Sequence, residues 1–242
     1  MVRIPFLDIL RGVAVLAMIC YHFFWDLGFF GYVDFSLATN GLGLIIAQII
    51  GASFLFISGF SLILSSLSTS YERNFWWRFA KLLSLSCLIS LVTLIFDKNN
   101  FIFFGILHLL TFCSLAGFVL IKARNTYFIF FIFLIILLVS ITNLKFELPD
   151  YISWIGLNIS VPNTNDFYPV IPWIIYFLMG LWFGKLLNLK ILNSSKWIFD
   201  EKEITSHGKI FRVLLLSGRN SLIIYILHQP IFFSLFLIFN RI

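Results

Sequence analysis

The run LGLIIAQIIGASFLFISGFSLILSS (residues 42–66) decides the fold, because none of its residues is Asp, Glu, Lys or Arg. A core helix of a soluble domain keeps a polar stripe for water. This run has none, and it exceeds the roughly 20 apolar residues that cross a bilayer. Working outward, comparable runs occur at 6–28, 77–96, 102–121, 127–143, 169–189 and 213–237. Lipid offers no partner to a backbone amide, so each run must satisfy its hydrogen bonds within itself. The chain therefore reads as all-α, a polytopic membrane helix bundle of about seven transmembrane helices forming a single domain over 1–242.

Composition agrees. Sixty per cent of the 242 residues are hydrophobic and 12% are charged, where a soluble domain carries about 25% charged residues. The mean hydropathy is +0.99. So little charge cannot cover a surface in water. Cys20, Cys87 and Cys113 all fall inside apolar runs, so buried free thiols are expected, not a disulfide framework. The first run lacks a small-residue cleavage site and reads as a retained helix. Nucleic acid is not expected as a partner despite the net charge of +6, because the cations sit in the loops between spans.

Those loops alternate. Residues 29–41 hold Asp34 and no Lys or Arg, and the next loop region has Arg73, Arg78 and Lys81. Asp97–Lys98 is neutral, and Lys122 with Arg124 is basic. The stretch 144–168 sets Lys145 against Glu147, Asp150 and Asp166, whereas the last loop carries Lys185, Lys190, Lys196, Lys202, Lys209 and Arg212. With Arg3 at the start, the positive-inside rule puts the N-terminus in the cytoplasm and the C-terminus outside. The mixed-charge stretch 190–211 reads as a solvated amphipathic linker. The prolines of DFYPVIPW (166–173) suggest a rigid mouth to the sixth helix.

Ionisable residues at membrane depth are costly and usually face a bundle interior or a cavity. The first helix carries Asp8, Arg11, His22 and Asp26. At about 100° per residue, Asp8 and Asp26 project alike and the other two lie within about 60°. Arg11 and His22 are then roughly 16 Å apart along the axis. Asp26 follows His22 at i+4, within reach of its imidazole, the layout of a general base. The last run, GRNSLIIYILHQP (218–230), places Ser221, Tyr225 and His228 on one face with Arg219 toward the inner end. Pro230 frees a carbonyl near His228. His108 lies near the outer end of the fourth run, and Asp166 and Tyr168 at the outer mouth. Imidazoles and carboxylates thus gather toward the outside and Arg11 and Arg219 toward the inside. Such a cavity suits an anionic ligand admitted from the cytoplasm. Against catalysis stand ordinary packing roles for each residue taken alone.

LDILRGVAV (7–15) with YHF (21–23) and WDL (25–27), the 166–173 segment, and GRNSL…Y…HQP in the last helix resemble a bacterial family. It is the one related to the catalytic domain of heparan-α-glucosaminide N-acetyltransferase. The Arg11/His22 spacing is similar to an Arg–His pattern of the broader transmembrane acyltransferase superfamily. The resemblance runs from the first helix to the last. It implies an enzyme in the bacterial cytoplasmic membrane that moves acetyl or another acyl group from cytosolic acyl-CoA to a glycan or lipid-linked acceptor beyond the membrane. His22 would be the catalytic base and Asp26 its orienter. Arg11, Arg219 and Asn220 would hold the donor. Asp166, Tyr168, Trp173, His108, Tyr225, His228 and Gln229 would line the acceptor side. Loop 29–41 holds no His, so the base carried over is the helix-one His of the wider superfamily. No metal and no permanently bound cofactor are implied; acyl-CoA enters as co-substrate. Membrane lipids surround the chain, and a homo-oligomer or a membrane-complex partner is compatible with its apolar surface. Two other readings fit the same residues. One is a proton-linked small-molecule transporter, although no repeated halves are visible. The other is a non-catalytic accessory subunit.

Overall fold

The computed structural model describes residues 5–122, 126–142, 144–191 and 208–239. Most of the basic linker, 192–207, and Arg3 and Arg124 therefore lie outside the described residues. The elements are α1 (Pro5–Phe29), α2 (Ser36–Thr39), α3 (Gly41–Ser66), α4 (Tyr71–Phe96), α5 (Ile106–Lys122), α6 (Thr126–Ile141), a 3-10 turn (Asp150–Ile155), α7 (Val170–Ile191), α8 (Lys209–Arg219) and α9 (Ser221–Phe239). Among the described residues there is no strand, only the isolated bridges Phe104–Phe167 and Phe146–Asn158. The all-α membrane bundle is the observed fold. α1, α3, α4, α7 and α9 are long and apolar enough to cross a bilayer, while α5 and α6 are shorter apolar helices.

Three expectations need correction. The run 213–237 is not one helix. It divides at Asn220, whose φ of −103° and ψ of 15° separate a basic amphipathic α8 from an apolar α9. The Asn220 Nδ2 donates to the Leu216 carbonyl and helps satisfy the end of α8. Second, α4 begins at Tyr71 rather than 77, since helical hydrogen bonding continues into the polar interface where hydropathy fades. Third, all three cysteines are free, but Cys113 alone is buried; Cys20 and Cys87 sit on exposed helix faces.

Two compact units make up the chain, and along α3 the division falls between Phe54 and Leu55. In the larger unit, the second half of α3 packs on α7 almost backbone to backbone. A Cβ on Gly59 would strike the Phe177 carbonyl, and one on Gly180 would strike the Phe56 carbonyl. Where lipid is as apolar as leucine, small residues that allow such approach drive helix association. Phe177, Leu178 and Leu181 are fully buried there. Phe75 of α4 stacks on Phe118 of α5 with ring centroids 4.4 Å apart.

In the smaller unit, α1 packs along α8 and α9. Gly12 faces the Leu214 backbone and Gly218 faces the Asp8 backbone, with no room for a Cβ at either. α2 folds back over the end of α1: Tyr21 donates to the Ala38 carbonyl, and Trp25 stacks on Phe29 and meets Phe35 edge-on. Asp34 opens α2 by accepting the Ser36 amide at 2.9 Å. That bond holds the Asp34 carboxyl below its ordinary value.

Candidate functional site

The smaller unit contains Arg11, His22, Asp26, Arg219, Asn220, Tyr225, His228 and Gln229. Near the start of α1, Asp8 is a buried carboxylate between two guanidiniums. Arg11 Nη1 donates to its Oδ1 at 3.0 Å, one helical turn away. Arg219 Nε approaches its Oδ2 at 3.6 Å from the last turn of α8. Both guanidiniums thus converge on one carboxylate. The backbone contact of Gly218 on Asp8 fixes the adjacent Arg219, so the pairing follows from the α1–α8 approach. Asn220 stands at the α8–α9 break.

Farther along the same helices, α1 and α9 bring two imidazoles together. The His22 and His228 ring centroids are 4.8 Å apart. His228 Nδ1 lies 2.6 Å from the Tyr225 carbonyl. A carbonyl only accepts, so Nδ1 carries the hydrogen and Nε2 keeps a lone pair. His228 is 8% exposed, and its Nε2 has no hydrogen-bond partner. Asp26 is fully buried. Its Oδ1 accepts the Gln229 amide at 2.8 Å, and its Oδ2 has no hydrogen-bond partner. The expected His22–Asp26 hydrogen bond is thus not formed: the carboxylate faces α9, and His22 packs beside His228 instead. Helical spacing puts both residues on one face but does not say which neighbouring helix offers each the better partner.

The larger unit contains His108, Asp166, Tyr168 and Trp173. His108 is held as the opposite tautomer. Its Nδ1 accepts the Gly105 amide at 3.3 Å, so Nε2–H donates to Ser90 Oγ at 3.0 Å. Ser90 Oγ donates in turn to the Ile102 carbonyl. Both ring nitrogens are therefore engaged in bracing the 102–106 connection. Asp166 Oδ2 accepts the Ile106 amide at 3.0 Å, capping α5 from sixty residues away in sequence. A Cβ at 105 would strike that oxygen, so a larger residue there must push the Asp166 carboxyl aside. Thr164 donates to the Phe101 carbonyl and Asn165 Nδ2 to Asp97 Oδ2, lacing the same two loops together. Trp173 packs between Tyr168 and Tyr176, at centroid distances of 4.6 and 5.8 Å. It lies just past Ile171, which is extended (φ −98°, ψ 125°), so the regular part of α7 starts after the paired prolines.

Burial raises the Asp166 carboxyl to about 6 against the opposing pull of the Ile106 amide. The folded state then favours the protonated acid. Stability from this group is present below about pH 4 and is lost as pH rises through about 6. Asp166→Asn keeps a carbonyl for the Ile106 amide and removes the cost of ionisation. The variant is expected to melt above the wild type at pH 7.5 and level with it near pH 4, as read by thermal denaturation in detergent. A variant that melts lower at both pH values refutes the account.

Asp8 escaped the sequence reading as a site residue, although it sits in the charged stripe. Its tie to Arg219 spans the length of the chain and has no local signature. The same holds for Asp26 and Gln229.

The site and fold together define a class: a helical membrane protein that carries buried ionisable groups on its facing helices. The family model described as heparan-alpha-glucosaminide N-acetyltransferase, catalytic, matches residues 3–230. The chain belongs to that family, which with its apolar helices makes it a membrane protein of the acyltransferase type. Comparison with curated proteins and with solved structures returns no match.

Proposed function

We propose that the protein transfers acetyl or another acyl group from cytosolic acyl-CoA to an amino sugar or other glycan- or lipid-linked acceptor on the far side of the membrane. Seven spans, a cytoplasmic N-terminus and a bacterial cytoplasmic membrane belong to this reading. The observation that carries it is the arrangement on α1: two guanidiniums gathered on Asp8 near one end, and an imidazole pair farther along. Family membership supplies the reaction class.

Arg11, Arg219 and Asn220 hold the donor phosphates, and the acyl end of the pantetheine arm reaches toward His22. His22 accepts the proton of the acceptor amine or hydroxyl as that atom attacks the thioester carbonyl. The new bond to carbon forms, the C–S bond breaks, and the proton passes to the departing thiolate. Both substrates must be held together, since positioning and base catalysis supply most of the acceleration. Tyr225 and Gln229, in the same unit as His22, serve the acceptor. Within the larger unit, Asp166 and His108 shape the loops next to Tyr168.

The test is release of CoA thiol by purified protein in liposomes supplied with acetyl-CoA and a glucosamine-type acceptor. Acceptor-dependent release is expected; uptake of a solute without acyl-CoA consumption would support the transporter reading instead. Arg11→Gln is expected to raise the KM for acyl-CoA about tenfold or more, the scale of a lost charged hydrogen bond, and to leave kcat within a few-fold. A fall in kcat with unchanged KM removes Arg11 from the donor site.

A further inference from the structure

We infer that His228 is the positioning partner of His22, and that its Nε2 lone pair accepts the N–H of the His22 imidazole while that ring carries the proton taken from the acceptor. The inference rests on the acyltransferase reading for its catalytic consequence, but its geometry stands alone. The Tyr225 carbonyl fixes the His228 ring through Nδ1–H. The other nitrogen is left as a buried acceptor with no partner. A buried acceptor of that kind has a cost unless something donates to it at some stage. Among the rings packed on His228, that of His22 is nearest at 4.8 Å, against 5.7 Å for Tyr225 and 6.4 Å for Phe232. Asp26, the other group able to accept from His22, takes the Gln229 amide at Oδ1 and keeps Oδ2 without a hydrogen-bond partner, but it stands on His22's own helix and its carboxylate is held toward α9 by that bond. Tyr21 of α1 meets His22 edge-on, with centroids 5.5 Å apart.

The proton balance is simple. Neutral His22 holds one N–H and one lone pair. The lone pair takes the acceptor's proton as the acceptor–carbon bond forms. The ring is then an imidazolium, and its other N–H donates to His228 Nε2 without transferring. When the C–S bond breaks, the first proton goes to the thiolate and His22 returns to neutral. His228 neither gains nor loses a proton. A carbonyl-anchored imidazole thus does for His22 what a carboxylate does for the base of a hydrolytic triad.

Two substitutions separate the nitrogens. In His228→Asn the amide nitrogen stands near Nδ1 and keeps the tie to Tyr225, but nothing occupies the Nε2 position. In His228→Gln the longer amide offers an oxygen near Nε2. Asn is expected to lower kcat about 10–100-fold, the range for a lost supporting hydrogen bond, with both KM values unchanged. Gln is expected to recover most of that loss. Wild-type kcat in the Asn variant, or equal loss in both variants, overturns the proposal. The 15N spectrum of histidine-labelled protein gives a readout without turnover. His228 should be protonated at Nδ1, and His228→Asn should shift the His22 resonances. An Nε2–H tautomer at His228, or unmoved His22 resonances, refutes the pairing. Absence of acyl transfer in the wild type would sink the acyltransferase reading, while the tautomer and the His22 shift would still decide the pair.

Discussion

His22→Ala is expected to reduce acyl transfer by about 10²–10⁴-fold, the contribution of a positioned general base. The side chain projects from the middle of a long helix toward His228, so its removal takes away the proton acceptor without touching a cap, a turn or a backbone contact. The protein should stay folded, and the guanidinium pair on Asp8 should stay intact. Binding of acyl-CoA should therefore persist, and the loss should fall on kcat. The measurement is steady-state turnover of the reconstituted variant beside a melting curve and a donor-binding isotherm. Turnover within a few-fold of wild type, in protein that still melts cooperatively, removes His22 from the chemistry. Lost donor binding with a normal melting curve would move the residue from the base position to the donor site.

Helix identity was legible in the sequence wherever lipid decides it. The charge-free run 42–66 and the other long apolar runs predict helices that the structure contains, because nothing else satisfies a backbone in hydrocarbon. Helix ends were less legible. The break at Asn220 lies inside a run whose hydropathy looks continuous, next to the place where Gly218 sits on the Asp8 backbone. The 3.6-residue period likewise put Asp8, Arg11, His22 and Asp26 on one side of α1 but was blind to what stood opposite. Gln229 claims Asp26 from 203 residues away, and Ser90 with Gly105 claims both nitrogens of His108. Periodicity places a side chain on a face; only the fold chooses its partner.

The second large effect concerns the seam that makes the cationic pair. α1 and α8 meet through Gly12 and Gly218, each facing the other helix's backbone at Leu214 and Asp8. Atoms of a backbone cannot rotate away as a side chain can, so even a methyl group must push the helices apart. Gly218→Val and Gly12→Val are each expected to lose at least the roughly 1–3 kcal/mol typical of overpacking, seen as a lower melting temperature. Ile210→Ala, on the 74% exposed face of the same helix, should change stability by no more than about 0.5 kcal/mol. The chemistry should follow the packing. A shift of α8 carries Arg219 away from Asp8, where it now lies at 3.6 Å, and leaves one guanidinium in place of two beside the carboxylate. With one guanidinium fewer at that end of α1, the KM for acyl-CoA should rise in the glycine variants while Ile210→Ala leaves it unchanged. If the valine variants melt like wild type, the helices are not in backbone contact, and the account of how Arg219 is positioned fails with it.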